Sequence, residues 1–234
     1  MIVERAEHPQ WLSNAYLVAD GPGGHGVLID GNGVEGPLLE QVEAQEITIT
    51  HVLVTHSHAD HVVGVEQTAS RFGVPLLAHP ELNDGTVVES GDLRIEGLYT
   101  PGHCRDHVAL LVNGTDVFTA DVLFKGTVGG TMGGGPTGFA DIRHSIMERL
   151  MTLNAETRVH PGHTLPTTIG EEWEHNPFVR IWRGLDDEGV ADCKVRLEPA
   201  TLVLWAPDYD GTNKAWVRYP DGRQAIVGGS QVER

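Results

Sequence analysis

The chain has 234 residues, with 16 Lys and Arg against 33 Asp and Glu, and a formal net charge of -17. This length allows one large domain, or one domain with a small appendage. The negative charge repels phosphate backbones and anionic lipid, which excludes nucleic acid and membrane surfaces as preferred partners. The first ten residues lack the apolar core of a signal peptide, and no apolar run approaches the ~18 residues of a membrane span. Because Cys104 and Cys193 indicate no disulfide framework, we expect a soluble, cytoplasmic protein.

The first third of the chain predicts sheet followed by one helix. Short β-prone segments at residues 2–5, 14–19 and 26–30 are separated by turn residues, which indicates an antiparallel meander. Pro37 then precedes apolar residues at helical spacing and predicts a short amphipathic helix. Residues 47–55 are nearly continuous in β-branched and apolar side chains, the pattern of a strand that is covered on both faces.

The stretch Thr55-His56-Ser57-His58-Ala59-Asp60-His61 follows that strand directly. It places three imidazoles and a carboxylate within six positions, a donor set typical of borderline divalent metal ions. Because ligands at the end of a strand are held rigidly, the stretch predicts a metal site. The glycines of residues 31–36 match G-x-G-x-x-G, but the next strand ends at Thr55-His56 and not at the acidic residue of a dinucleotide site. We interpret those glycines as a turn.

The middle of the chain predicts a helix over residues 62–72, then strands at 76–78, 93–100, 108–112 and 117–120. Asn113-Gly114 indicates a tight hairpin between the last two strands. Residues 126–138 contain seven glycines in thirteen positions, typical of either a flexible connection or a loop that contacts substrate. Asp141 is expected to cap a helix with its apolar face inward.

The last third predicts a change of architecture near residue 184. Residues 157–163 predict a short strand and turn, and residues 171–183 predict a helix that Pro177 interrupts. We expect a main domain over 1–184, then a linker and small β-rich unit over 185–234, with strands at 195–197, 201–205, 215–219 and 224–227. This unit of about 40 residues predicts a β-meander or SH3-like barrel, too small to be very stable alone. It could mediate homo-oligomerisation or other protein contacts, or cover the active site.

Three further metal ligands are indicated by their positions in turns or at strand ends. His103 and His163 each follow Pro-Gly, where glycine allows a sharp turn, and Asp121 ends the strand at 117–120. Together with the stretch at 55–61 they make seven donors, too many for one four-coordinate ion. Five histidines and two aspartates suit two ions about 3.5 to 4 Å apart that share a carboxylate and a hydroxide.

With these ligand motifs, the chain resembles the metallo-β-lactamase-fold hydrolases of the glyoxalase II (hydroxyacylglutathione hydrolase) type. The motifs that carry the resemblance are HSHADH at 56–61, TPGH at 100–103, ADVLFKG at 120–126, PGHT at 161–164 and HNPF at 175–178. The resemblance implies an α+β fold, the αββα sandwich, with a metal-binding edge. It also assigns His56, His58 and His103 to a first metal, Asp60, His61 and His163 to a second, and Asp121 to both. Zinc is the first expectation for the two divalent ions, with iron or manganese as alternatives.

The reaction implied by the resemblance is hydrolysis of a small thioester or ester by a bridging hydroxide. Our own hypothesis is that Asp60 steers the proton of the nucleophile. A mononuclear non-haem iron persulfide dioxygenase is the main alternative, since His56, His103 and Asp121 match its iron ligands. A lactonase is another. Asp121 argues against β-lactam hydrolysis, in which the bridging position usually lacks aspartate.

Three residues near the motifs are candidate substrate contacts. Cys104 directly follows a ligand, His107 lies four positions beyond it, and Lys125 could hold a substrate carboxylate. The chain departs from glyoxalase II here, because it carries Gly129-Gly130-Thr131 where relatives place a basic residue after Gly-x-Gly. The expected substrate is a small molecule, and the sequence does not decide whether it carries glutathione.

Overall fold

The computed structural model describes residues 1–234, except for the side chain of Pro136. Its contacts divide the chain into two compact units. The first unit comprises Met1–Tyr99, Asp106–Ala120 and Gly162–Thr164, and the second comprises Thr100–Arg105, Asp121–Pro161 and Leu165–Arg234. The domain boundary expected near residue 184 stays a prediction.

The first unit contains two β-sheets and three short helices. The strands are β1 (Ile2–Glu7), β2 (Asn14–Ala19), β3 (His25–Ile29), β4 (Gly31–Asn32), β5 (Thr48–Leu53), β6 (Leu76–Leu77), β7 (Val87–Ser90), β8 (Leu93–Tyr99), β9 (Val108–Val112) and β10 (Asp116–Ala120), and the helices are α1 (Gly36–Ala44), α2 (Ala59–Val62) and α3 (Val65–Phe72). One sheet has the order β1-β2-β3-β5-β6, in which the first three strands are antiparallel and the last two run parallel to β3. In the other, β7 to β10 pair antiparallel with their sequence neighbours.

The core of the first unit has two layers because the central strands are apolar on both faces. One layer joins the two sheets and includes Val27, Leu53, Leu110 and Phe118. The other lies between the first sheet and helices α1 and α3. Strand β5 is therefore covered on both faces, as its continuous apolar sequence predicts, and its end is a rigid place to mount ligands.

Local structure in the first unit confirms one turn and corrects one helix. Asn113 and Gly114 have φ values of 50° and 71°, as a type I′ turn between β9 and β10 requires. The helix expected over residues 62–72 is interrupted, because Val63 is extended and Gly64 has φ of 78°. Strand β7 was not anticipated.

The second unit combines short strands, three helices and a C-terminal sheet. Its elements are β11 (Leu123–Phe124), β12 (Thr127–Val128), β13 (Arg158–Pro161), β14 (Thr167–Thr168), β15 (Ala191–Val195), β16 (Glu198–Pro207), β17 (Asn213–Arg218), β18 (Gln224–Gly228), β19 (Val232–Glu233), α4 (Gly138–His144), α5 (Ile169–His175) and α6 (Pro177–Trp182), with a π-helical segment Ser145–Leu150 after α4 and 3₁₀ turns at Gly135–Thr137 and Gly229–Gln231. Helix α4 starts before Asp141, so this residue lies in the first turn instead of capping the helix. Pro177 separates α5 from α6, as its missing N–H predicts.

The C-terminal residues form an extra antiparallel sheet in the order β18-β17-β16-β15-β19. Alternating side chains of these strands form one buried cluster that includes Val195, Leu202 and Val217. Within the second unit, Trp216 of β17 also packs against Phe139 and Trp182, at ring-centroid distances of 5.1 and 6.2 Å. Aromatic contacts of this kind fix the sheet to helices α4 and α6. Over the described part of the chain, helices long and apolar enough to span a membrane are absent.

A buried carboxylate holds the start of the glycine-rich segment. Glu172 is 3 % exposed. It accepts hydrogen bonds from the Gly126 N–H, the Asn176 side-chain amide and the Thr167 hydroxyl, at 2.9, 2.8 and 2.8 Å. Burial raises the pKa of Glu172 above its usual value, against the opposing effect of these hydrogen bonds.

The raised pKa of Glu172 predicts a pH-dependent effect of Glu172→Gln on the stability of the metal-free protein. Below the unfolded pKa of a glutamate, about 4.3, the carboxyl is protonated in both states, so the variant and the wild type should have similar stability. As the pH rises through the raised folded pKa, only the wild type pays for a buried charge. The advantage of the variant in urea unfolding should therefore grow as the pH rises above about 4.3 and become constant above the raised pKa of Glu172. A difference that is independent of pH would contradict this assignment.

Candidate metal centre

The histidines of the stretch at 55–61 converge at the end of β5. His56 is 2 % exposed and His61 is fully buried. The His56 ring centroid lies 4.7 Å from that of His58 and 4.4 Å from that of His61. The loop after β5 and the short helix α2 thus collect imidazoles into one cluster, as the local spacing predicts.

Asp60, His61 and His163 form a three-donor group within the first unit. Their donor atoms all lie within 4.8 Å of one another. Oδ2 of Asp60 is 3.6 Å from Nε2 of His61 and 3.6 Å from Nε2 of His163. Two donors at about 2.1 Å from one tetrahedral ion are about 3.4 Å apart. The spacing therefore fits a shared divalent ion, and these residues would hold it.

Backbone contacts fix the loop that carries His163. Gly162 N–H donates to the Ala120 carbonyl at 2.8 Å, and its own carbonyl accepts from Asn14 N–H at 2.7 Å. Thr164, the residue after His163, has φ of 65°, and its carbonyl accepts from the side chains of Arg5 and Asn14 at 2.7 and 2.9 Å. The Pro-Gly-His turn is thereby tied to β1, β2 and β10, which holds the His163 imidazole in place.

His103 and Asp121 form a donor pair within the second unit. Nε2 of His103 is 3.5 Å from Oδ2 of Asp121, again close to the spacing of two ligands of one ion. The Gly130 carbonyl accepts a hydrogen bond from Nδ1–H of His103 at 2.9 Å. With the proton on Nδ1, the lone pair of Nε2 is available for a metal.

Asp30 is hydrogen-bonded to the histidine cluster and is a candidate functional residue that sequence reasoning missed. It lies just after β3, is 5 % exposed and has φ of 59°. Its Oδ2 accepts from Nδ1–H of His61 at 3.0 Å and from the Thr55 hydroxyl at 2.8 Å, and Oδ1 accepts from Thr55 N–H at 2.8 Å. The Thr55 hydroxyl in turn accepts from Nδ1–H of His56 at 3.1 Å. The Asp30 carboxylate thus fixes Nδ1 of His61 directly and Nδ1 of His56 through Thr55, which leaves Nε2 of each ring on the side away from Asp30. The sequence signal that could have identified Asp30 is its position at the end of a strand, which Asp121 shares.

Because Gly129 lies close to the backbone of Asp121, we expect Gly129→Ala to lower both the stability of the protein and its affinity for zinc. A Cβ at Gly129 would lie 1.9 Å from the Asp121 carbonyl oxygen, so the backbone that carries this donor must shift. We expect a loss of about 1–3 kcal/mol in unfolding free energy, typical of overpacking, and weaker zinc binding. The matched comparison is Gly130→Ala, where the added Cβ meets only the Ile226 carbonyl oxygen, at 3.6 Å. Equal unfolding midpoints and zinc affinities for the two variants would contradict the expectation.

The three candidate substrate contacts lie in different surroundings. Cys104 is 6 % exposed and His107 is fully buried, with its ring centroid 5.1 Å from that of His56. Lys125 is exposed and lines a cavity of about 400 Å³ together with Glu171 and Glu172. Substrate contact by any of the three stays a prediction, as does the assembly of all seven donors into one site.

Comparison with known proteins identifies the family. Residues 8–84 match the model of the metallo-β-lactamase superfamily. The hydroxyacylglutathione hydrolase GloC of Haemophilus influenzae is 30 % identical, over 65 % of this chain and 86 % of that protein. The structure of ETHE1 from Myxococcus xanthus is 31 % identical, with a TM-score of 0.69 over 76 % of this chain and 84 % of that chain. The structure of TTHA1623 in a di-iron-bound form is 30 % identical, with a TM-score of 0.63 over 75 % of this chain and all of that chain. The chain belongs to the metallo-β-lactamase superfamily and has its mixed α+β fold, as the sequence motifs predict.

Proposed function

We propose that the protein is a metal-dependent hydrolase that cleaves a small thioester or ester. The observation that carries this proposal is the distance between donor atoms. Oδ2 of Asp60 lies 3.6 Å from Nε2 of His61 and of His163, and Nε2 of His103 lies 3.5 Å from Oδ2 of Asp121. The similarity to a hydroxyacylglutathione hydrolase supports the thioester, and the similarity to a di-iron protein supports two ions.

The proposed ligand sets follow the family pattern. His56, His58 and His103 would hold one divalent ion, Asp60, His61 and His163 the other, and Asp121 both. A bound pair of such ions supplies an activated water and polarises the substrate carbonyl. Zinc is the first choice for both ions, and the iron in the TTHA1623 structure makes iron the second.

Asp60 is the proposed catalytic carboxylate. Its side chain is 26 % exposed, whereas that of His61 is fully buried. The Asp60 carboxylate is thus close to the imidazoles and partly exposed, so that its oxygen that does not bind metal could accept a proton from the attacking water. The distance of 3.6 Å from Oδ2 to Nε2 of both His61 and His163 supports this place beside the proposed metal position.

A cavity beside His56 is the proposed place for the substrate. Its volume is about 420 Å³, and its walls in the first unit include Ser57, Val62, His79 and Asp106. This volume suits a small molecule, and the walls combine apolar with polar side chains. Asp106 also accepts a hydrogen bond from Ser57 N–H at 3.0 Å, which fixes the wall next to the ligands.

A mononuclear iron persulfide dioxygenase is the second candidate, favoured by the 31 % identity to ETHE1. The two candidates are separated by metal analysis of the purified protein and by an assay panel of thioesters, esters, lactones and glutathione persulfide. Two ions per chain and thioester or ester hydrolysis without oxygen uptake are expected. One iron per chain with oxygen consumed on the persulfide would overturn the hydrolase, and hydrolysis of lactones alone would make the protein a lactonase.

Two further parts of the proposal concern location and assembly. The cytoplasmic location is supported by Cys104 and Cys193, which are buried and form no disulfide within the described residues. Homo-oligomerisation through the C-terminal sheet remains a prediction, which the mass of the full chain in solution would test.

A further inference from the structure

The edge of the C-terminal sheet is joined to the glycine-rich segment by one residue, Thr131. Strand β18 lies at the edge of the sheet, where backbone groups need other partners. Thr131 N–H donates to the Ile226 carbonyl at 2.9 Å, and Ile226 N–H donates to the Thr131 hydroxyl at 2.9 Å. Thr131 is 4 % exposed and Ile226 is fully buried, so this pair of hydrogen bonds is shielded from water.

The two residues before Thr131 contact the proposed ligands of the second unit. The Gly130 carbonyl accepts from Nδ1–H of His103, and Gly129 N–H donates to the Val122 carbonyl at 3.1 Å, one residue beyond Asp121. Residues 129–131 therefore form a short bridge, with the proposed ligands at one end and β18 at the other. Glycine has the largest conformational freedom to lose, so a segment with seven glycines in thirteen residues needs such an anchor to hold one conformation.

The position of the Gly130 carbonyl decides which nitrogen of His103 faces Asp121. The hydrogen bond to Nδ1 fixes both the tautomer and the ring orientation, and it leaves Nε2 at 3.5 Å from Oδ2 of Asp121. Partners of this kind commonly change metal affinity 10- to 100-fold when they are removed. Because Gly130 and Thr131 share a peptide bond, a shift of Thr131 moves the Gly130 carbonyl.

We propose that the C-terminal sheet positions His103 for metal binding through the Ile226–Thr131 hydrogen bonds, which makes Thr131 a positioning residue. The inference rests on the proposed function, since it takes His103 to be a metal ligand. The C-terminal sheet would thus orient a metal ligand of its own chain, without any partner protein.

The test compares Thr131→Val with Thr127→Val in the full-length, metal-free protein. Both changes replace a buried hydroxyl by a methyl group of similar size, and both lie in the glycine-rich region. The Thr127 hydroxyl has no hydrogen-bond partner among the described residues, so it is the matched control. Stepwise titration with Zn²⁺ by calorimetry measures each binding constant, and His103→Ala identifies the step that depends on His103.

For Thr131→Val we expect that step to weaken about 10- to 100-fold while the other step keeps its wild-type constant. Thr127→Val should match the wild type, and Thr131→Ser, which keeps the hydroxyl, should restore the affinity. If Thr131→Val does not fold, Thr131→Ala is used, because the smaller side chain leaves room for a water at Ile226 N–H.

The outcomes separate this inference from the proposed function. A wild-type protein that binds no zinc, or whose binding is unaffected by His103→Ala, would overturn the proposed ligand set and this inference with it. A wild-type protein that binds two ions, together with a Thr131 variant that behaves like Thr127→Val, would overturn the positioning role alone. Equal weakening of both steps would also contradict it, since it would indicate a general structural defect.

Discussion

Asp60→Asn is expected to lower kcat for the best thioester or ester by about 10²-fold or more, the usual contribution of a positioned acid or base. The amide has nearly the shape of the carboxylate but cannot take a proton from water at neutral pH. Since Asp60 lies 3.6 Å from Nε2 of both His61 and His163, weaker metal binding is expected as well. Turnover is therefore measured at saturating zinc, with the metal content of each sample determined.

The control for this change is Glu40→Gln, which removes one negative charge from an exposed position on α1. Its kcat should stay near that of the wild type, because a surface charge has little effect on a site that it does not contact. Full metal content and full turnover in Asp60→Asn would refute the catalytic role of Asp60.

Asp30→Asn is expected to weaken zinc binding about 10- to 100-fold at both proposed metal positions. The NH2 group of the new amide would face either Nδ1–H of His61 and the Thr55 hydroxyl, which both donate to Oδ2, or Thr55 N–H, which donates to Oδ1, so at least one native hydrogen bond is lost. Asparagine tolerates the left-handed backbone at this position, φ 59°, so the change isolates the hydrogen bonds from backbone strain. Zinc titration of the metal-free protein measures both steps.

Asp20→Asn is the matched control for Asp30→Asn. Asp20 also accepts backbone hydrogen bonds, from His25 and Asp92 at 2.8 and 3.0 Å, and these hydrogen bonds lower the pKa of its carboxyl. Its replacement should leave zinc affinity unchanged. Superimposable zinc titrations of Asp30→Asn and the wild type would rule out Asp30 as the residue that orients His56 and His61.

The helices and strands of this protein were largely predictable because their signals are local. The Asn113-Gly114 turn and the break at Pro177 depend on the φ preferences and donor groups of single residues. Two predictions of where a helix begins or ends were wrong. Gly64 divides the helix expected over residues 62–72, and the start of α4 precedes Asp141.

The candidate metal ligands could also be chosen from the sequence, since their donor types and spacing occur in short motifs. The imidazole cluster of the stretch at 55–61 and the donors His103, Asp121 and His163 needed no knowledge of distant contacts. The sequence by itself thus determined the family and the candidate ligands.

Only the tertiary structure decided how those ligands are oriented. Asp30 and His61 are 31 positions apart, His103 and Gly130 are 27 apart, and Thr131 and Ile226 are 95 apart. Hydrogen bonds over such separations leave no periodic trace in the sequence, because any aspartate or backbone carbonyl could supply the acceptor. The fold selects the one that lies within about 3 Å of the ring nitrogen.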